Sequence, residues 1–286
     1  MNDDSTALRR TLIIALIVLA LAAVGIGVWY FVREKVYRRF DYGSKSECTQ
    51  EQLQRAVVPY EKRAAIVQLL GQLHTIFERF GVQYWMIGGT LLGAVRDGGI
   101  IPWDDDADLG VLECEWTDTL QSAQFRDALE ANGMRLLRLH NVPIDKIVWR
   151  RDWPDAPDAV TRAEFVARHT AFVDIFTFEP HPKQPTMLRL SALKNRMWFP
   201  TEIIGLDDLF PRRQYAFGTG KASDPALLLY GPGEPFAYLT RKYGKRGKPT
   251  WIRKAVVTSH GDTDLLLNPC SLHPSRLRTM MVGMRQ

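Results

Sequence analysis

The chain has 286 residues, 46% hydrophobic and 24% charged, an ordinary globular composition apart from its N-terminus. Its net charge of +5 and pI near 9.1 suit an anionic ligand, but an excess of this size is also what a solvated surface carries. Three scattered cysteines, Cys48, Cys114 and Cys270, form no Cys-x-x-Cys pair. They offer no zinc site of that spacing and argue against a disulfide scaffold, and their odd number leaves at least one thiol free or paired with another chain.

In chain order, residues 1–10 form a short tail, and Thr11 to Val32 is an uninterrupted apolar run, TLIIALIVLALAAVGIGVWYFV. Crossing a bilayer takes about 20 apolar residues at 1.5 Å of helical rise each, and the run supplies them. Trp29 and Tyr30 stand where an interfacial aromatic belt lies. A cleaved signal sequence is the alternative, but its apolar core is usually only about 7–15 residues long. Residues 11–32 are therefore expected to be a transmembrane anchor whose partner is the lipid bilayer. Arg9 and Arg10 precede the run, and Arg33, Lys35, Arg38, Arg39 and Lys45 follow it. The positive-inside tendency alone would keep the following domain in the cytosol, and the absence of any Asn-x-Ser/Thr sequon agrees. Residues 33–50 read as a basic, polar stem, leaving 51–286 as one domain large enough to close a core.

Ile66, Leu69, Leu70, Leu73, Ile76, Phe77 and Phe80 recur at helical spacing, which predicts an amphipathic helix from Pro59 to Phe80 closed by Gly81. Val82 to Ile87 reads as a buried strand. Gly88 and Gly89 break it, and Thr90 is expected to cap the helix TLLGAVR. Gly98, Gly99 and Pro102 force a turn before a strand from Ala107 to Leu112. A helix opened by Thr117 and Asp118 is expected to run to Asn132 and end at Gly133. MRLLRLH and IDKIVWRR read as paired strands, Trp153 to Arg162 as a loop, and Phe172 to Phe178 as a buried strand. Beyond Pro180 the pattern breaks into short pieces. No internal repeat is visible.

The chemistry concentrates in GGTLLGAVRDGGIIPWDDDADLGV, Gly88 to Val111. A strand, two glycines and a helix start give close backbone approach and a positive helix end, which suits a phosphate, although paired glycines also serve plain turns. Asp106 and Asp108 are two residues apart at a strand start, so both side chains leave one face. Carboxylates held that way repel each other, and a divalent cation relieves the repulsion; oxygen ligands suit Mg²⁺ or Mn²⁺. Asp104 and Asp105 are either further ligands or turn residues. Asp174, in FVDIFTF, is the lone charge between His169 and Glu179 and is the candidate third carboxylate. The alternative pairs it with a basic side chain such as Lys146 or Arg196, facing away from the cluster.

GGTLLGAVR followed by IPWDDDADLGV resembles the signature of the LicD family, which includes fukutin and fukutin-related protein. VDIFTF, LFPRRQYAFG, YLTRKYG and Trp251 extend the resemblance over about Ile66 to Trp251. It implies an α+β, polymerase-β-type nucleotidyltransferase fold, a small mixed sheet flanked by helices. It also implies transfer of phosphocholine or ribitol phosphate from a CDP-linked donor to a glycan or glycoconjugate hydroxyl. By the same resemblance, Asp106 and Asp108 match the metal-binding pair and Asp174 the third carboxylate. Gly88, Gly89 and Thr90 match the donor-phosphate turn. Arg96 occupies the family's arginine position, as a phosphate contact or as a salt bridge holding the loop. The zinc-binding cysteines of fukutin-related protein have no counterpart here.

Two other readings compete. An Asp-x-Asp glycosyltransferase also uses a nucleotide donor, but it usually places a nucleotide-binding βαβ half before the acidic motif. A non-catalytic glycan-binding scaffold would tolerate loss of a carboxylate. No nucleic-acid partner is expected. The eukaryotic relatives implied by the resemblance favour a Golgi membrane with a lumenal catalytic domain, against the flanking charges.

Overall fold

The structure, a computed structural model, describes residues 3–38, 46–155, 160–221, 223–244, 247–252, 255–257 and 269–273. The chain divides into two compact units, Met1–Asp41 and Tyr42–Gln286.

The first unit is a single helix, α1 (Asp3–Arg38). It begins before the apolar run and continues past it. Its Arg9–Trp29 stretch has 21 residues and a mean hydropathy of 2.9. At 1.5 Å per residue that spans about 31 Å, close to the roughly 30 Å hydrocarbon thickness of a bilayer. The stretch is long and apolar enough to cross a membrane, or to serve as a signal sequence.

The segment read as a stem, 33–50, belongs to both units. Residues 33–38 continue α1, 39–45 lie outside the described residues, and Glu47 already bridges Ser271 in the second unit. Cys48 donates its N–H to the Ser271 carbonyl at 3.0 Å and is disulfide-bonded to Cys270. Thr49 then opens α2 (Gln50–Ala56) with a capping box. Its hydroxyl accepts from the Gln52 N–H at 3.1 Å, and Gln52 Oε1 accepts from the Thr49 N–H at 2.9 Å. Two amides that a helix start leaves unpaired are thereby satisfied.

α3 (Tyr60–Phe80) follows Pro59 and ends on Gly81, whose φ of 69° is in the left-handed region a side chain disfavours. Ile66, Leu69, Leu70, Leu73, Ile76 and Phe77 are all buried, as the spacing predicts. Each such side chain stabilises the fold by about 1.5–3 kcal/mol. After it come β1 (Trp85–Met86), α4 (Gly88–Arg96) and β2 (Ala107–Leu112). The strand expected from Val82 to Ile87 is thus shortened. Tyr84 N–H donates back to the Val82 carbonyl at 3.2 Å, and Ile87 is already the cap residue of α4.

The helix expected from Thr117 to Asn132 is in fact broken. α5 (Glu113–Glu115) runs into a π-helical turn at Trp116–Leu120, and α6 (Ala123–Ala131) starts afresh. The cap of α6 is Ser122, whose hydroxyl accepts from the Phe125 N–H at 3.2 Å; Thr117 and Asp118 cap nothing there. β3 (Met134–Arg138) and β4 (Asp145–Trp149) pair antiparallel. The loop expected from Trp153 to Arg162 falls partly on 156–159, outside the described residues, and Arg162 opens α7 (Arg162–Ala167). β5 (Phe172–His181), β6 (Gln184–Leu190), α8 (Leu193–Trp198), β7 (Ile203–Gly205) and α9 (Leu206–Leu209) follow. β8 (Arg213–Phe217), β9 (Leu227–Gly231), α10 (Pro235–Tyr243), β10 (Ala255–Val257) and β11 (Cys270–Leu272) complete the described strands and α-helices.

Seven strands form one mixed sheet in the order β1-β2-β5-β4-β3, with β6 pairing the far half of β5 and β7 pairing β6. Among the described strands of this sheet, only the β2–β5 pair is parallel. Ala107, Leu109 and Val111 of β2 and Val173 and Ile175 of β5 point to the buried core face. Asp108 and Asp174 alternate with them and face the other way. Within the second unit a large apolar core includes Phe77, Phe125 and Trp85, and a smaller separate cluster gathers Leu137, Val148, Trp153 and Phe165.

Cys114 is exposed and is the free thiol among the described cysteines. The native protein is expected to take one iodoacetamide adduct, at Cys114, and three after reduction and unfolding, read by intact mass. Reduction should remove about 2–5 kcal/mol of stability, seen as a lower urea midpoint. Native labelling of Cys48 or Cys270 would contradict the pairing.

Candidate active site

The site is built where β1 turns into α4. Gly88 has φ +57°, and a Cβ there would stand 2.6 Å from Asp108 Oδ2. A Cβ on Gly89 would fall inside contact distance of Asp104 Oδ2. The two glycines therefore let two carboxylates close onto the first turn of a helix, where backbone N–H groups favour negative charge. Thr90 does not cap this helix, which begins at Gly88 behind Ile87 and has no side-chain cap. Its buried hydroxyl instead accepts from the Asp108 N–H at 2.7 Å. That bond is possible because Ile87 N–H already pairs with the Asp108 carbonyl (3.2 Å), which draws the start of β2 alongside the helix.

Strand register sets the rest. Asp108 of β2 pairs with Asp174 of β5, which in turn pairs with Lys146 of β4. Register partners in adjacent strands project from the same face, so the three side chains form a row. Asp106, two residues before Asp108, joins that face. One carboxylate oxygen from each of Asp106, Asp108 and Asp174 lies within 4.8 Å of the others. Burial, and then the charges of Asp108, Asp104, Asp174 and Asp105, push the Asp106 carboxyl well above the usual carboxylate range.

The structure joins what the sequence offered as alternatives for Asp174. Its carboxylate converges with Asp106 and Asp108, and its Oδ1 also forms an ion pair with the buried Lys146. Lys146 lies over the rings of Phe172 (4.1 Å) and Phe165 (4.9 Å), which hold the ammonium in place. Arg196, the other partner considered, is engaged by Glu179. Asp105 pairs with Lys62 at 3.2 Å. Arg96 forks onto its neighbour Asp97, Nε to Oδ1 at 2.8 Å and Nη2 to Oδ2 at 2.6 Å.

α10 closes the site from outside the acidic motif. The Tyr238 hydroxyl accepts from the Gly88 N–H at 2.8 Å and donates to Glu202 Oε2 at 2.6 Å. Lys242 forms an ion pair with Glu202 Oε1. Burial draws the Lys242 ammonium down to about 8, while Asp108 and Asp104 oppose that shift. In the sequence Tyr238 and Lys242 lie within YLTRKYG, a stretch without an evident chemical signature. The usable signal is that Tyr238 and Lys242 are four residues apart and so share a helix face.

In their chemistry the residues present fit a divalent cation. Asp106 and Asp108, with Asp174 beside them, are hard oxygen donors of the kind Mg²⁺ and Mn²⁺ prefer. A double positive charge is also what their mutual repulsion calls for.

The model of the family described as LicD/FKTN/FKRP, nucleotidyltransferase domain, matches residues 81–226. The chain belongs to the LicD family. The matched region runs from the Gly81 turn through β2, β5 and Glu202, and α10 lies beyond it. An uncharacterized protein of Rickettsia typhi is 26% identical over 265 residues, covering 93% of this chain and 69% of that protein. The lipopolysaccharide cholinephosphotransferase LicD of Haemophilus influenzae is 28% identical over 140 residues, 48% of this chain and 50% of that protein. The human ribitol 5-phosphate transferase FKRP is 61% identical over 36 residues, 13% of this chain and 7% of that protein.

A carboxyl whose pKa is raised by folding favours the folded state while protonated, and that contribution is lost as pH rises through the folded value. In EDTA the melting temperature should therefore fall as pH climbs above the ordinary carboxylate range towards neutrality. Mn²⁺ should restore it, most strongly at the upper end of that window. Asp106→Asn should flatten both effects in scanning fluorimetry. Melting in EDTA that ignores pH would contradict this reading of Asp106.

Proposed function

We propose that this LicD-family chain is a membrane-anchored, metal-dependent phosphotransferase. It moves a phosphate-bearing group, of the phosphocholine or ribitol-phosphate kind, from a CDP-linked donor to a hydroxyl of a glycan or glycoconjugate. The observation that carries the reading is the convergence of Asp106, Asp108 and Asp174 beside the first turn of α4. The printed activities of the Haemophilus and human relatives support the class of group transferred.

Asp106 and Asp108 are the residues that hold Mg²⁺ or Mn²⁺, which supplies positive charge against the donor phosphates when bound. Gly88 and Gly89 admit the diphosphate to the backbone of α4. Thr90, bonded to the Asp108 N–H, fixes that carboxylate relative to the turn. Lys146 holds Asp174 by one oxygen and so sets the orientation of the carboxylate, which accepts the proton of the attacking hydroxyl. Attack at the distal phosphorus releases CMP. Arg96 is eight residues along α4, about 12 Å from Gly88 at helical rise. With its guanidinium committed to Asp97, we assign it to holding the turn that follows rather than to phosphate.

Two observations weigh against the rivals. Before Asp104 the described part of the second unit holds α2, α3, β1 and α4, with no parallel βαβ half of the kind an Asp-x-Asp glycosyltransferase uses. The carboxylate set is complete, which a scaffold would not require. For location, α1 is the anchor, and the Cys48–Cys270 bond favours a domain on the oxidising side of the membrane, the Golgi lumen in a eukaryotic cell. The flanking charges are only a statistical bias against it.

The full chain, purified in detergent, should transfer the head group of CDP-choline or CDP-ribitol to glycan acceptors, read by mass spectrometry. EDTA should abolish turnover and Mg²⁺ or Mn²⁺ restore it; full activity in EDTA would sink the metal-dependent reading. Asp108→Asn should lower kcat by about a thousandfold, roughly 4 kcal/mol at the transition state, with little change in melting temperature.

Separately, Asp174→Asn and Lys146→Met distinguish chemistry from support. Asp174→Asn should lose most turnover and, by stranding the buried Lys146 ammonium, about 3–5 kcal/mol of stability. Lys146→Met should lose a similar amount of stability by stranding the carboxylate, but keep much more of its turnover where it is folded. Equal initial rates for the two folded variants would remove Asp174 from the mechanism.

A further inference from the structure

We infer that Lys242 of α10 is a donor-binding residue that contacts the diphosphate, and that Tyr238 and Glu202 are positioning residues that aim it. The inference rests on the phosphate chemistry proposed above, but not on the cytidine. α10 lies beyond the region matched by the family model, so that match assigns no role to Lys242 or Tyr238.

Tyr238 and Glu202 are 1% and 3% exposed, and an interior does not take up such groups without a reason. A mechanical tie between α10 and α4 needs no ionisable group, since a well-packed apolar pair serves as well as a buried ion pair. The polar chain nevertheless runs without a gap from the Gly88 N–H to the Tyr238 hydroxyl, to Glu202, to Lys242. It starts on the first residue of the helix turn over which Asp108 and Asp104 close.

Lys242 is the member of the chain that reaches outward. Its side chain is 18% accessible, against 2% for that of Glu202. Tyr238, four residues before it on α10, is bonded to the Gly88 N–H, which brings this stretch of the helix to the glycine turn over which Asp108 and Asp104 close. An ammonium offers three donors, and Glu202 accepts from one direction only. A lysine held this way is a point charge suited to phosphate oxygens. The placement at the glycine turn selects a diphosphate rather than a sugar as its ligand.

The test uses the full chain in detergent with Mn²⁺ and two probes, inorganic pyrophosphate and CDP, titrated calorimetrically. Lys242→Met should weaken pyrophosphate binding by about tenfold or more, and Lys242→Arg should recover most of it. Tyr238→Phe should weaken it in the same direction by less. Mn²⁺ binding without phosphate, read by electron paramagnetic resonance, should stay within about twofold of wild type in each variant. If Lys242→Met fails to fold because Glu202 is stranded, the double variant Lys242→Met/Glu202→Gln removes both charges and is read instead.

Unchanged pyrophosphate affinity in the variant that folds overturns the inference, as does parallel loss of Mn²⁺ binding. Pyrophosphate binding that depends on Lys242, with no gain from the nucleoside in CDP, upholds the inference and defeats the cytidine donor. A wild-type chain that binds neither probe defeats both.

Discussion

Three carboxylates brought within 4.8 Å of one another repel, and the rest of the site is arranged around that repulsion. The parallel pairing of β2 with β5 creates it by setting Asp108 beside Asp174. Its neighbours then limit it. Lys146 takes one oxygen of Asp174 from the adjoining strand, and Lys62 takes Asp105 at the edge of the cluster. Burial and the surrounding carboxylates push Asp106 towards its protonated form. The protein thus compensates the periphery of its acidic cluster with lysines.

The glycine turn follows the same logic. Without side chains at Gly88 and Gly89, the carboxylates of Asp108 and Asp104 rest against the start of α4, whose partial positive charge partly offsets theirs. Thr90 and Tyr238 then take up the two amides that pin this geometry, the first on β2 and the second on α4. A ligand meets a surface whose backbone is fixed in advance, so little ordering is left to do when it binds.

Much of this was legible in the sequence, and most of the exceptions share one cause. The stripe from Ile66 to Phe77 specified α3, and the two-residue spacing of Asp106 and Asp108 specified a common face. The isolation of Asp174 in an apolar run marked it before any strand was paired. Lys146 appeared only as one of two possible partners, because choosing it over Arg196 requires the β4–β5 register. Thr90 was misread as a cap because its true partner, the Asp108 N–H, is eighteen residues away. Ser122 was passed over because the periodic pattern ran across it. Lys242 and Glu202 meet only once α10 and the segment before β7 have packed, and no local spacing encodes that. The sequence therefore carried local periodicity and unusual charges well, and pairings made by long-range packing poorly.

The bond between Cys48 and Cys270 joins residues 222 positions apart. At about 5–20 residues per second, a ribosome needs roughly ten to forty seconds to travel from the first to the second. Throughout that interval Cys48 has emerged without its partner, while Cys114, which the finished fold leaves exposed, has become available as a wrong one. Glu47 and Cys48 also wait for the Ser271 backbone that they meet in the finished fold. Closure of the Cys48–Cys270 bond is therefore a late event in the life of the chain, one that waits until nearly the whole domain has been synthesised.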